Sequence, residues 1–126
     1  MRNFKFILLA CSFLVVGCTT EKKSEREIAE EKGAELLNQA RVALGESDFQ
    51  KACELIDSIR SAYPLALNVR EQGILLKDSV QLEEAREEFR KAHESGLKGE
   101  QLEEAQMKIE FFLRKLKHDK ERSKTH

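Results

Sequence analysis

The chain has no tryptophan, one proline, one tyrosine and six glycines among 126 residues. So few turn formers exclude a many-stranded sandwich or barrel, which needs Gly, Pro or Asn at each tight reversal. Cysteine occurs three times, at positions 11, 18 and 53, and never as CxxC, so neither a dithiol redox centre nor a thiolate zinc site can be built. No apolar run reaches the roughly 20 residues of a membrane-spanning helix. Neither sign of charge dominates: 22 Lys+Arg face 23 Asp+Glu, a net charge of −1, which argues against general nucleic-acid binding. Charge itself is abundant, at 36% of the residues. That composition fits an all-α fold whose helices carry solvated faces.

The first 18 residues differ from the rest. Arg2 and Lys5 precede an apolar stretch, Phe6 to Val16, that is too short to span a bilayer. It ends in Leu14-Val15-Val16-Gly17-Cys18. That string resembles the lipobox of bacterial lipoproteins. The resemblance implies a signal peptide at 1–17 and cleavage before Cys18. It further implies covalent diacylglycerol and an N-acyl chain, such as palmitate, on Cys18. Several acyl chains on one residue make an effectively permanent anchor, since each buried methylene contributes about 0.8 kcal/mol. In proteins of this kind an aspartate after the cysteine favours the inner membrane. Thr19 in that place implies the outer membrane, with the protein facing the periplasm. No other cofactor is implied. Residues 18–24 are then the lipidated cysteine and a polar linker, which reaches only about 20 Å at about 3.5 Å per residue. Cys53 would be left as the lone thiol, read here as a small buried apolar residue.

From residue 25 onward the apolar spacing is helical. Ser24 and Glu27 form a capping box. It opens a helix over 25–44 with Ile28, Leu36, Leu37, Ala40, Ala43 and Leu44 as its stripe; Gly33 is a weak point and Gly45 a stop. Ser47 and Gln50 repeat the cap, and Phe49, Ala52, Leu55, Ile56 and Ile59 mark a second helix over 48–62, closed by Tyr63-Pro64. A third helix is predicted over 67–77, with Asp78-Ser79 as a break, and a fourth over 80–95 with Leu82, Ala85, Phe89 and Ala92 inward. After the turn Gly96-Leu97-Lys98-Gly99, a fifth helix over 100–117 carries Leu102, Ala105, Ile109, Phe112 and Leu116. Residues 118–126 are a polar, basic tail expected to fray.

Ala52, Ile56 and Ile59 fall over Ala85, Phe89 and Ala92 at an offset of 33 residues (85 − 52). A helix–turn–helix period of about 34 residues is that of tetratricopeptide repeats. The segment GESDFQKACELIDSIRSAYP resembles the second half of such a repeat. Phe49 takes its aromatic position, Ala52 its small packing position and Pro64 its closing proline. Gly73, Ala85, Phe89 and Ala92 fit a second unit. Gln39 and Gln72 depart from the pattern where it is apolar, and Leu97 replaces the second closing proline. The expected fold is thus a five-helix antiparallel array over 25–117, made of two degenerate repeat units and a C-terminal capping helix. The alternative is an irregular five-helix bundle.

Tetratricopeptide domains bind extended peptides or helices along a concave face, so the resemblance implies a groove. Its positions here are Leu37, Arg41 and Leu44 from the first unit and Arg70, Ile74 and Lys77 from the second. Met107 and Phe111 come from the capping helix. Arg41, Arg70 and Lys77 suit a carboxylate or acidic peptide; as ordinary solvated charges they have no such role. Met107, Phe111 and Leu113 exceed what one helix seam needs, and suit either an interface or core. The basic residues from Arg114 to Lys124 suit the negative end of a helix, or anionic headgroups or cell-wall polymer.

No catalytic pattern is present. His93-Glu94 begins like HExxH, but Leu97 stands at the second histidine. No G-x-S-x-G, phosphate loop or calcium-spaced aspartate cluster occurs. The expected function is a lipid-anchored adaptor for an unidentified protein partner, not an enzyme. The alternatives are a self-associating spacer, dimeric through the fifth helix, and an immunity-type lipoprotein that inhibits one enzyme.

Overall fold

The computed structural model describes residues 21–125; the signal segment, the LVVGC string and Cys18 lie outside the described residues. Helix α1 spans Glu25–Gly45 and opens with the expected capping box. The Glu27 amide donates to Ser24 Oγ at 3.2 Å, and the Ser24 amide donates to Glu27 Oε2 at 2.7 Å. Its buried stripe is Ala29, Gly33, Leu37, Ala40 and Ala43. Leu37, Ala40 and Ala43 are the expected ones, Leu36 and Leu44 are half-buried beside the core, and Ala29 and Gly33 take the place given to Ile28. Ile28 is 40% exposed. The reason is close approach. A Cβ on Gly33 would lie 3.3 Å from Val69 Cγ1, 3.4 Å from the Ala66 Cβ and 3.6 Å from Ile59 Cγ2. Gly33 is where three helices converge, not a weak point of one.

Gly45 closes α1 from within the helix, and the left-handed residue is Ser47, at φ 58°. Because Ser47 is spent on this turn, the cap moves one residue on: Asp48 accepts the Lys51 amide at 3.1 Å and α2 spans Phe49–Ala62. Tyr63 ends it ahead of Pro64, as the spacing predicts.

Four helices, not five, make up the described residues, because α3 runs unbroken over Leu67–Glu94. The expected break at Asp78-Ser79 does not form, and with it goes the turn of the second repeat unit. Both residues have found partners that leave the backbone helical. Ser79 Oγ donates to the Leu75 carbonyl at 3.0 Å, within the helix. The Asp78 carboxylate accepts from Lys115 on α4. Neither Gly nor Pro stands there to force a bend.

The N-terminus of α3 has no cap of its own, since Ala66 precedes it. Glu30 of α1 supplies one. Its Oε1 accepts the Asn68 amide at 3.0 Å and its Oε2 the Val69 amide at 3.1 Å. A carboxylate there satisfies two orphan donors and meets the positive helix end. Helix α4 spans Glu100–Ser123, past the predicted end at Lys117, so most of the expected tail is helical. Asp119 and Ser123 on that added stretch are half-buried, which explains the extension.

Successive helices are antiparallel, and α1 and α3 run side by side. One core cluster joins Ala29, Leu37, Ile59, Ala66 and Val69; a second joins Ala40, Ala43, Ala52, Ile56 and Val80. Leu76 packs against both. Helix α4 packs on α3 alone. Two outcomes follow. Gly33→Leu should lower the unfolding free energy by about 2–3 kcal/mol by forcing α1 from α3, read from urea unfolding. Glu30→Ala should cost about 1–2 kcal/mol, a cap lost from another helix, read the same way.

Candidate interaction cleft

The eight predicted groove positions fall in five places. Leu37 is core, 2% exposed, and offers no surface. Arg41 lies outside on α1, donating to Asn38 Oδ1 at 2.9 Å and to Gln72 Oε1 of α3 at 3.2 Å. This accounts for the polar residue at 72: it ties the two parallel helices together. Leu44 is half-buried at the α1–α2 turn, beside Phe49 and the charged second half of α3. Met107 and Phe111 are on the outer side of α4, 61% and 56% exposed. Only Arg70, Ile74 and Lys77 come together.

Those three line a cleft of about 400 Å³ between α2 and the first half of α3. Its apolar floor is Ile56, Ile59 and Gly73, and a Cβ on Gly73 would lie 3.4 Å from Ile56 Cγ2, filling part of that floor. Leu67 and Ile74, two turns apart on α3, stand over it, 54% and 56% exposed. The rim is charged. Lys77 Nζ donates to Asp57 Oδ1 at 2.7 Å, and Arg70 Nη1 to the Pro64 carbonyl at 2.8 Å. Arg60 lines the cleft too and makes no ion pair among the described residues. The α2 side of this cleft escaped the sequence reading, because the repeat pattern directs attention to first helices. The signal that could have found it is Arg60, placed on the same end of α2 as Asp57.

On another side of α3 lies the one buried charge among the described residues. Asp78 is 1% exposed. Its Oδ1 accepts from Lys115 Nζ, and its Oδ2 is buried with no hydrogen-bond partner. Burial pushes its carboxyl above the ordinary range; Lys115 pulls it down and the neighbouring Asp119 adds to the rise. Asp119 itself is held low by His118, at 3.1 Å, and by Asp78. Cys53 is half-buried against the second core cluster, and burial pushes its thiol up, away from the thiolate.

Among the described residues no three His, Cys, Asp or Glu side chains gather as metal ligands. None of the described helices is long and apolar enough to cross a membrane. The raised Asp78 carboxyl has a consequence for pH. A folded value above the unfolded one means the folded state holds the proton longer. Its contribution is then full below the ordinary value of about 4 and fades as pH rises through the folded value. Asp78→Asn should therefore gain stability relative to the wild type as pH is raised from about 4 to about 7, read by thermal melting of both proteins across that range. Compared with protein-family models, curated proteins and solved structures, the chain matches none of them.

Proposed function

We propose that this protein is a lipid-anchored, periplasm-facing helical adaptor that holds a partner protein at the outer membrane. The anchor is Cys18, on the reading of LVVGC as a lipobox. With α1 beginning at Glu25, the linker keeps the domain within about 20 Å of the headgroups. The α1–α2 pair, with α3 laid parallel to α1, fits one tetratricopeptide-like unit followed by a first helix. The second unit is replaced by the long α3 and its hairpin with α4.

The observation that carries the binding role is the α2–α3 cleft. Leu67 and Ile74 leave apolar surface in the open, over a floor of isoleucine and glycine. Arg60, Arg70 and Lys77 stand around it against Asp57 and Glu71, so cations are in excess. The occupant that complements this surface is an acidic amphipathic segment, its apolar side on Leu67 and Ile74 and a carboxylate on Arg60. Nothing in the cleft supplies a nucleophile with an adjacent base.

The test uses the full lipoprotein in its own host, crosslinked and captured, with Cys18→Ala, Ile74→Glu and Arg60→Glu beside it. Intact mass should show a chain starting at an acylated Cys18, and the Cys18→Ala protein should carry no acyl mass. A partner held by the wild type should fall about tenfold or more with Ile74→Glu and with Arg60→Glu, as for a lost central contact. Capture unchanged by both cleft variants refutes the cleft, and an unprocessed wild-type N-terminus refutes the anchor. One-to-one capture of a single enzyme, with loss of its activity, would replace the adaptor with an inhibitor.

A further inference from the structure

Helix α4 carries a second stripe, opposite the one that packs on α3. Glu100, Glu104, Met107, Phe111, Arg114 and His118 recur at alternating spacings of four and three along it, the rhythm of a coiled-coil seam. All six are exposed, and no other described helix covers them, since α4 touches only α3. Phe111 is nonetheless held in place, edge-on to Phe112 with ring centroids 5.2 Å apart. Phe112 itself is half-buried on the α3 side.

We infer that this face pairs with α4 of a second copy of the chain, antiparallel, about a two-fold axis near residue 109. The charge order along the stripe carries the inference. It runs acidic, apolar, apolar, basic. Reversed on itself, it sets Met107 against Phe111 of the second copy, and Glu104 against Arg114 of the second copy, each contact occurring twice. Glu100 then faces His118 of the second copy. A parallel pairing would instead set Glu104 against Glu104 and Arg114 against Arg114, so the charges specify the direction as well as the partner.

Both charged groups are available for such a contact. Several charges on this hairpin are paired internally, Arg86 with Glu83, Arg90 with Glu87 and Glu94, Lys108 with Glu88, Lys115 with Asp78, while Glu103, Glu110 and Lys117 of α4 form no salt bridge among the described residues. Glu104 and Arg114 form no salt bridge among the described residues, and each is what the other requires. Two apolar residues per copy make a small contact, so the dimer is weak in dilute solution and grows with local concentration. The pairing stands apart from the α2–α3 cleft and does not depend on it.

The experiment co-expresses two full-length copies with different C-terminal tags in the native host, crosslinks them in the cell and measures how much of one is captured with the other. Wild type should capture wild type. Glu104→Arg alone and Arg114→Glu alone should each reduce capture about tenfold, since each sets two like charges face to face twice. The double variant Glu104→Arg with Arg114→Glu should restore it. Circular dichroism should show unchanged helix content in all three, because both side chains are exposed and the one bond either makes, from Arg114 Nε to the Glu110 carbonyl at 3.4 Å, lies within α4. Absence of wild-type capture overturns the inference. So do single reversals that leave capture intact, or a double variant no better than the singles.

Discussion

The separation between α1 and α3 governs this structure. At Gly33 the two helices come so near that even a single Cβ would sit tightly, 3.3 Å from Val69 Cγ1, with Ala66 and Ile59 close behind. That approach brings Glu30 within reach of the open end of α3. It also brings Arg41 within reach of Gln72. Burial in this region is achieved with alanine and glycine on α1 against isoleucine and valine on α2 and α3. Small side chains give up some transfer free energy, but they let many atoms of both helices touch.

Most of this was open to sequence reasoning at the level of single helices. Helix α1 is legible because Ser24 and Glu27 act within one turn, and α2 because Pro64 acts on its immediate neighbour. What stays hidden depends on a second helix. Asp78-Ser79 reads as a break because Asp and Ser compete for backbone groups in isolation; the competitor that wins, Lys115, lies 37 residues away. Ile28 reads as core by its type, yet the face that is buried is set by which residues are small. The extension of α4 past Lys117 is hidden for the same reason, since Asp119 looks like tail until α3 is beside it.

The candidate site shows the same division. Arg70, Ile74 and Lys77 were legible together because they share one face of one helix. Leu37, Arg41 and Leu44 were placed with them by a repeat pattern whose second turn does not form. Leu37 instead lies in the core, Arg41 bonds to Gln72 and Leu44 sits at the α1–α2 turn, which leaves the cleft on the α2 side and the exposed stripe on α4. The two surfaces have opposite characters: a concave one with excess cations, and a convex one whose charges balance on reversal.

The attachment of α4 to α3 alone has a consequence for how the molecule opens. A helix held along one side can lift away while α1, α2 and the first half of α3 keep both core clusters intact. Its amides would then exchange with solvent through a local opening less costly than global unfolding. The apolar surface released would be the α4 side of α3. The buried Asp78 would go into water with it, regaining the hydration it lacks in the closed state. Helix α4 and the least satisfied carboxylate among the described residues therefore belong to the same cooperative unit. That unit is the one on which a second copy would close.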